Sequence, residues 1–121
     1  MKGLLIVAHG SRLASSNAEV MALVDKLAER LNNQGQNDWV AGSFLELTGP
    51  KVPEQMARAA ESGVSHLVIL PYFLAAGHHV ENDLPALVKE AQQLYPAMKV
   101  ELKTHIGLSD GMVDLMIGAL D

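Results

Sequence analysis

The sequence predicts an α/β protein: a three-layer αβα sandwich on a four-stranded parallel sheet of strand order 2-1-3-4. Three observations carry this. Four apolar runs rich in β-branched residues alternate with four segments of helical period, and a βαβαβαβα order implies parallel strands joined by right-handed crossovers. Two of the runs, LLIVA at 4–8 and LVIL at 67–70, are continuous rather than alternating, the mark of strands buried on both faces and therefore central. Finally, 49% of residues are hydrophobic but only 4% are aromatic, so the core is aliphatic, which suits helices on a sheet better than an aromatic-rich β-sandwich. A chain of 121 residues is long enough for one such core and too short for two, so residues 1–121 are expected to form a single domain.

The elements follow in order. Leu4–Ala8 is the first strand. Val20, Val24, Leu27 and Leu31 recur at spacings of three and four, giving a first helix with Ser15 or Ser16 as its N-cap and Gly35 near its stop. Trp39–Leu47 (WVAGSFLEL) alternates more and is placed toward a sheet edge. Pro53 fits the first turn of a second helix carrying Met56, Ala60 and Val64. Leu67–Leu70 is the third strand, with Pro71, Tyr72 and Phe73 behind it. Asn82 or Asp83 caps a third helix with Pro85 near its start and Leu84, Val88, Ala91 and Tyr95 on its buried side. Lys99–His105 (KVELKTH) is the other edge strand, and Met112, Val113, Met116 and Leu120 form a short last helix capped by Ser109 or Asp110.

Composition removes several classes of function. A formal net charge of −5 argues against binding nucleic acid or an anionic membrane surface, both of which need clustered Lys and Arg. With no cysteine there can be no disulfide, iron–sulfur cluster or thiolate zinc site, so any metal must be held by imidazole, carboxylate or backbone oxygen. Absence of cysteine also fits the cytoplasm. The apolar stretch after Lys2 is too short for a signal peptide, and no run approaches the ~18 apolar residues of a membrane span, so the protein is expected to be soluble and unprocessed.

Ligands of open parallel sheets bind outside the carboxyl ends of the strands. His9 ends the first strand, Glu46 the second and His105 the fourth, while His78 and His79 follow the third; only His66 lies at the opposite end. A lone histidine at a strand end is ordinarily a polar loop residue. Histidines converging from several strands beside a carboxylate, without thiolates, suit a divalent first-row metal or general acid–base chemistry instead. The stretch HGSR, His9 to Arg12, adds a glycine permitting close backbone approach, the Ser11 hydroxyl and a guanidinium able to fork onto a carboxylate or phosphate. It is neither GxGxxG nor GxxxxGK[ST], so nucleotide binding of those kinds is unsupported. In TGPKVPEQ, Thr48 to Gln55, turn chemistry is the default, with Lys51 a possible contact to an anion. Glu81 and Asp83 read as complements to a helix N-terminus, and the methionines as core filler.

Taken together, LLIVAHGSR (4–12), FLEL (44–47) followed by Pro50 and Pro53, and PYFLAAGHHVENDLP (71–85) resemble the class II tetrapyrrole chelatases. The likeness is to the short, half-size form of the sirohydrochlorin cobaltochelatase and ferrochelatase group, and it covers nearly the whole chain. The last motif is the most specific, since its family form runs apolar-Phe-Leu, Gly-x-His-Val, then Asp-aliphatic-Pro. The resemblance implies a chelatase-like fold with His9 and His79 as the active-site histidines and metal ligands. It makes Glu46 a nearby acidic group and His78 the variable position after Gly77. His105 matches no motif.

The activity implied is insertion of a divalent metal into sirohydrochlorin or a related tetrapyrrole, in cobalamin or sirohaem biosynthesis. The metal is a substrate, Co²⁺ foremost, then Fe²⁺ and Ni²⁺, and no organic cofactor is expected. His9 and His79 would hold the metal over the ring and assist its deprotonation, with Glu46 as proton acceptor or secondary metal contact. A polycarboxylate substrate sits awkwardly with the net charge of −5, so Ser11, Arg12, Lys51, Gly77 and His78 are candidates for local contacts, along with backbone amides near Ser11 and Val80. A macrocycle over ~10 Å across would cover much of the rim of a four-stranded sheet, whose strands are ~4.8 Å apart. The resemblance therefore implies a homodimer that completes the cleft. Two other readings use the same residues: a carrier that binds metal or tetrapyrrole without turnover, and a phosphatase-like domain with His9 as phosphoryl acceptor. The second needs several basic groups around His9, and only Arg12 is near it in sequence.

Overall fold

The computed structural model describes residues 1–121, apart from the side chains of His79 and Val80. The strands are β1 (Lys2–Ala8), β2 (Trp39–Phe44), β3 (His66–Pro71) and β4 (Lys99–Leu102), and the helices α1 (Ala14–Asn33), α2 (Val52–Glu61), α3 (Leu84–Leu94) and α4 (Asp110–Gly118). The sheet is wholly parallel with order β2-β1-β3-β4, as the two continuous apolar runs require.

Strand alternation divides the core. Leu5, Val7, Leu67 and Ile69 have no exposure and form one cluster with Val52, Met56, Ala59, Leu84, Ala91 and Met98, which come from α2, α3 and the segments beside them. On the opposite side lies α1, where Val24 is the one fully buried residue of a 20-residue helix. A Cβ on Gly42 would lie 2.9 Å from the Met21 sulfur and 3.1 Å from Val24 Cγ2, so the missing side chain on β2 lets α1 approach. The two sheet faces are thus unequally covered.

Several boundaries differ from expectation. β2 stops at Phe44, because the Phe44 amide turns to the Pro50 carbonyl (2.9 Å) and the chain closes a loop before α2. β4 stops at Leu102, one residue before the Lys103 amide makes its last bond to the Ile69 carbonyl. Ser15 and Ser16 lie inside α1, whose cap is Leu13. Val64 is buried beyond the end of α2, and helical winding before α3 begins with a π turn at His79–Asp83, upstream of the expected Asn82 or Asp83 cap. Pro53 and Pro85 occupy the first turns of α2 and α3 as expected. Ser109 caps α4, but no residue of that helix is buried.

The register fixes the functional rim. Ala8 pairs with Phe44 and Val7 with Pro71, so the carboxyl ends of β1, β2 and β3 finish at one level. Two further bonds, Leu45 N–H to the Ala8 carbonyl (3.0 Å) and Glu46 N–H to the His9 carbonyl (3.1 Å), carry β1–β2 pairing beyond the strands.

Candidate active site on the sheet rim

Gly10 has φ +100°, a conformation L side chains rarely adopt, and a Cβ there would lie 1.9 Å from the Glu46 carbonyl oxygen. Only glycine lets the two loops close. Behind it, the Asn17 side chain grips both backbone groups of Ser11: Ser11 N–H donates to Asn17 Oδ1 (2.9 Å) and Asn17 Nδ2 donates to the Ser11 carbonyl (2.8 Å). The Ser11 hydroxyl oxygen accepts from the Leu13 amide at 3.0 Å, standing in for the side-chain cap α1 otherwise lacks.

This closure sets His9 Nε2 2.7 Å from Glu46 Oε1, with both side chains nearly half exposed. The other ring nitrogen, Nδ1, lies 3.1 Å from the Gly10 carbonyl oxygen. Imidazole and carboxylate are thus in direct contact, a pairing able to pass a proton between them. Next to Glu46, Leu47 takes φ 70°, a strained position for a residue with a side chain.

Beside Glu46 opens a cleft of about 380 Å³ lined by Leu45, Glu46, Asp83, Ala86, Leu87 and Glu90. Three of those groups are carboxylic acids, so the cleft favours cations. Around the rim stand exposed apolar side chains from several loops: Leu13, Leu47, Tyr72, Leu74 and Leu108. Leu74 and Leu108 are 72% and 67% exposed, far more than isolated surface aliphatics need be.

The remaining predicted residues divide as follows. His78 is exposed after β3, and its Nδ1 accepts from the Asn82 side-chain amide at 3.0 Å. Gly77 is exposed before it, and its carbonyl accepts from the Glu81 amide (3.1 Å). Arg12 and Lys51 are both exposed, Lys51 at the start of α2. His79 and Val80 lie outside the described residues. Two expectations are corrected: His105 is 6% exposed and turned into the protein rather than presented on the rim, and the Ser11 amide is already spent on Asn17 and is no donor for a ligand. His66, at the far end, pairs with Glu101 at 2.9 Å. Among the described residues no three His, Asp or Glu side chains gather as a closed metal cage. His9 and Glu46 put an imidazole and a carboxylate side by side, the kind of nitrogen and oxygen donors a divalent first-row metal takes.

Sequence reading missed Asn17 and the apolar ring. An Asn six residues after a Ser at a strand–helix turn was the available signal for the first; for the second it was a leucine in every rim loop.

The family model described as CbiX matches residues 3–121. The sirohydrochlorin cobaltochelatase of Methanopyrus kandleri (strain AV19) is 40% identical over 88 residues, 73% of this chain and 59% of the relative. That of Sulfolobus acidocaldarius is 31% identical over 116 residues, 96% of this chain and 87% of the relative. The crystal structure of the sirohydrochlorin chelatase SirB from Bacillus subtilis subspecies spizizenii, in complex with cobalt, superposes with TM-score 0.83 at 23% identity. The match covers 98% of this chain and 49% of SirB, and it establishes likeness of fold. The chain thus matches well under two thirds of the length of the Methanopyrus relative and about half that of SirB.

Proposed function

The chain belongs to the CbiX family, and we propose that it is a metal chelatase inserting a divalent ion, Co²⁺ foremost, into sirohydrochlorin. The observation that carries this reading is the contact of His9 Nε2 with Glu46 Oε1, 2.7 Å apart on an open rim. Insertion replaces both inner N–H protons of the ring with one divalent ion, so it needs a base that is free at the right moment and a group that gives protons onward. With Nε2 unprotonated, His9 can hold the metal or accept a pyrrole proton, and Glu46 beside it relays that proton outward. His79 is proposed as the second imidazole, from its place in the Gly-x-His-Val motif.

The apolar ring of Leu13, Leu47, Tyr72, Leu74 and Leu108 suits the faces of a flat macrocycle, and the exposed Arg12, Lys51 and His78 are the proposed contacts to its carboxylates. Glu46, Asp83 and Glu90 give the metal an acidic approach. Residues 1–121 are read as one unit that works as a homodimer in the cytoplasm, the second copy closing the cleft. The SirB match to half a longer chain supports that reading. Cobalamin or sirohaem synthesis would be the setting.

The test is anaerobic absorbance of sirohydrochlorin with limiting protein and Co²⁺, Fe²⁺ or Ni²⁺, against protein-free controls. Conversion over many turnovers, fastest with Co²⁺, is expected. A stoichiometric spectral change without turnover would replace the enzyme with a carrier.

A further inference from the structure

Beyond the sheet, the chains leaving β3 and β4 keep running side by side. The Lys103 amide bonds the Ile69 carbonyl (2.9 Å), and four residues further along both chains the Gly107 amide bonds the Phe73 carbonyl (3.0 Å). Gly107 lies in a short 3₁₀ turn, Ile106–Leu108, between β4 and α4. A Cβ there would overlap the Leu74 carbonyl and stand 2.7 Å from the Leu74 Cα, so backbone rests on backbone with no flexible side chain to yield. Unlike Gly10, Gly107 does not have a positive φ, so closeness of approach, rather than its own dihedral angles, is what demands glycine. Each chain is anchored inward beside this contact, Phe73 against the core and His105 at 6% exposure, while Leu74 and Leu108 are exposed.

We infer that Gly107 is a positioning residue for the macrocycle: by admitting the Leu74 backbone it sets Leu74 and Leu108 as one apolar shelf on the rim. This rests on the chelatase reading above and names what orients the ring. A tetrapyrrole gains by covering its flat apolar faces, but two loops free to separate would lose much of that gain to their own ordering. The clasp does the ordering in advance. It also tethers the upstream end of the loop that carries Gly77 and His78, whose downstream end is held separately by the Glu81 amide on the Gly77 carbonyl (3.1 Å). His9 and Glu46 follow β1 and β2, on the other half of the sheet. Opening the clasp should therefore disturb ring binding and leave that pair in place.

In the test, metal-free sirohydrochlorin is titrated into wild type, Gly107→Ala, and a Leu74→Ser, Leu108→Ser double variant, followed by absorbance, and steady-state chelation is measured with Co²⁺. Gly107→Ala is expected to raise Kd and KM for the tetrapyrrole about tenfold, with KM for Co²⁺ and the turnover number within about twofold of wild type. The serine pair, which removes the shelf without touching the clasp, should give the same split. Adding Gly107→Ala to it should cost less than about twofold more, since no shelf is left to position. A Gly107→Ala protein that loses turnover number with both KM values unchanged has merely lost folded enzyme, and that result overturns the inference. So does a wild-type Kd in either variant, and the serine pair decides the matter even if Gly107→Ala does not fold. Tetrapyrrole binding without turnover by wild type would overturn the chelatase reading and leave the shelf standing, because the titration needs no metal; no binding by wild type overturns both.

Discussion

His9 and Glu46 touch through Nε2 and Oε1, and that contact gives residue-scale predictions. Glu46→Gln keeps the size and the loop but cannot take a proton. Its turnover number is expected to fall by about 10²-fold with KM for the tetrapyrrole little changed, measured in steady state. His9→Ala should fall at least as far, and the double variant little further, because the two act as one unit. Gly10→Ala places a methyl group against the Glu46 carbonyl. Thermal melts should show a loss of about 1–3 kcal/mol along with the activity. Sequence made His9 and Glu46 legible, since a rule about strand ends locates them. It could not reveal their contact, which depends on a β1–β2 pairing that continues beyond both strands.

Among the elements, β4 is the short edge of the sheet, and a side-chain cluster ties it to β3. Glu101 bonds Lys103 at 2.7 Å and His66 at 2.9 Å. The Lys103 bond first, then that of His66, lowers its carboxyl to about pKa 2. An unfolded Glu titrates near ~4.3. Because the folded value is the lower one, the stabilisation is fully present above the unfolded value and disappears as pH falls toward the folded one. The melting temperatures of wild type and Glu101→Gln should therefore differ at pH 6, and the difference should shrink steadily as pH is lowered below about 4 toward the folded value. The turn into α1 is held differently, by the amide of Asn17. Asn17→Ala is expected to slow chelation more than Asn17→Asp, which keeps the acceptor for Ser11 N–H. The Glu101 cluster was not legible, because no sequence period links residues 35 apart, and Asn17 had only its place six residues after Ser11 to mark it. The element order and the central strands were, because burial on both faces leaves an unbroken apolar run in the sequence itself.

Across the whole molecule, a net charge of −5 repels a polycarboxylate while attracting a divalent cation. Salt screens both effects over ~8–10 Å at physiological strength. Raising ionic strength should lower KM for the tetrapyrrole and raise it for the metal, a split that steady-state kinetics in the two substrates separately would show. Identical shifts for both would place the relevant charges elsewhere. At this scale sequence gave the layers and their order, but not the unequal cover of the two faces. The apolar residues of α4 have a normal helical spacing, and pattern alone could not say that the chain leaves all of that helix unburied.

The loop carrying Glu46 starts and ends on the same rung: the Phe44 amide bonds the Pro50 carbonyl, and Phe44 bridges to Lys51. Its length is consequently decoupled from the scaffold. Residues added or removed near Thr48 would change how far the loop overhangs the rim without shifting β2 or α2. That makes it a natural place to adjust by design how much of the rim is covered, while the base that holds Glu46 against His9 stays anchored.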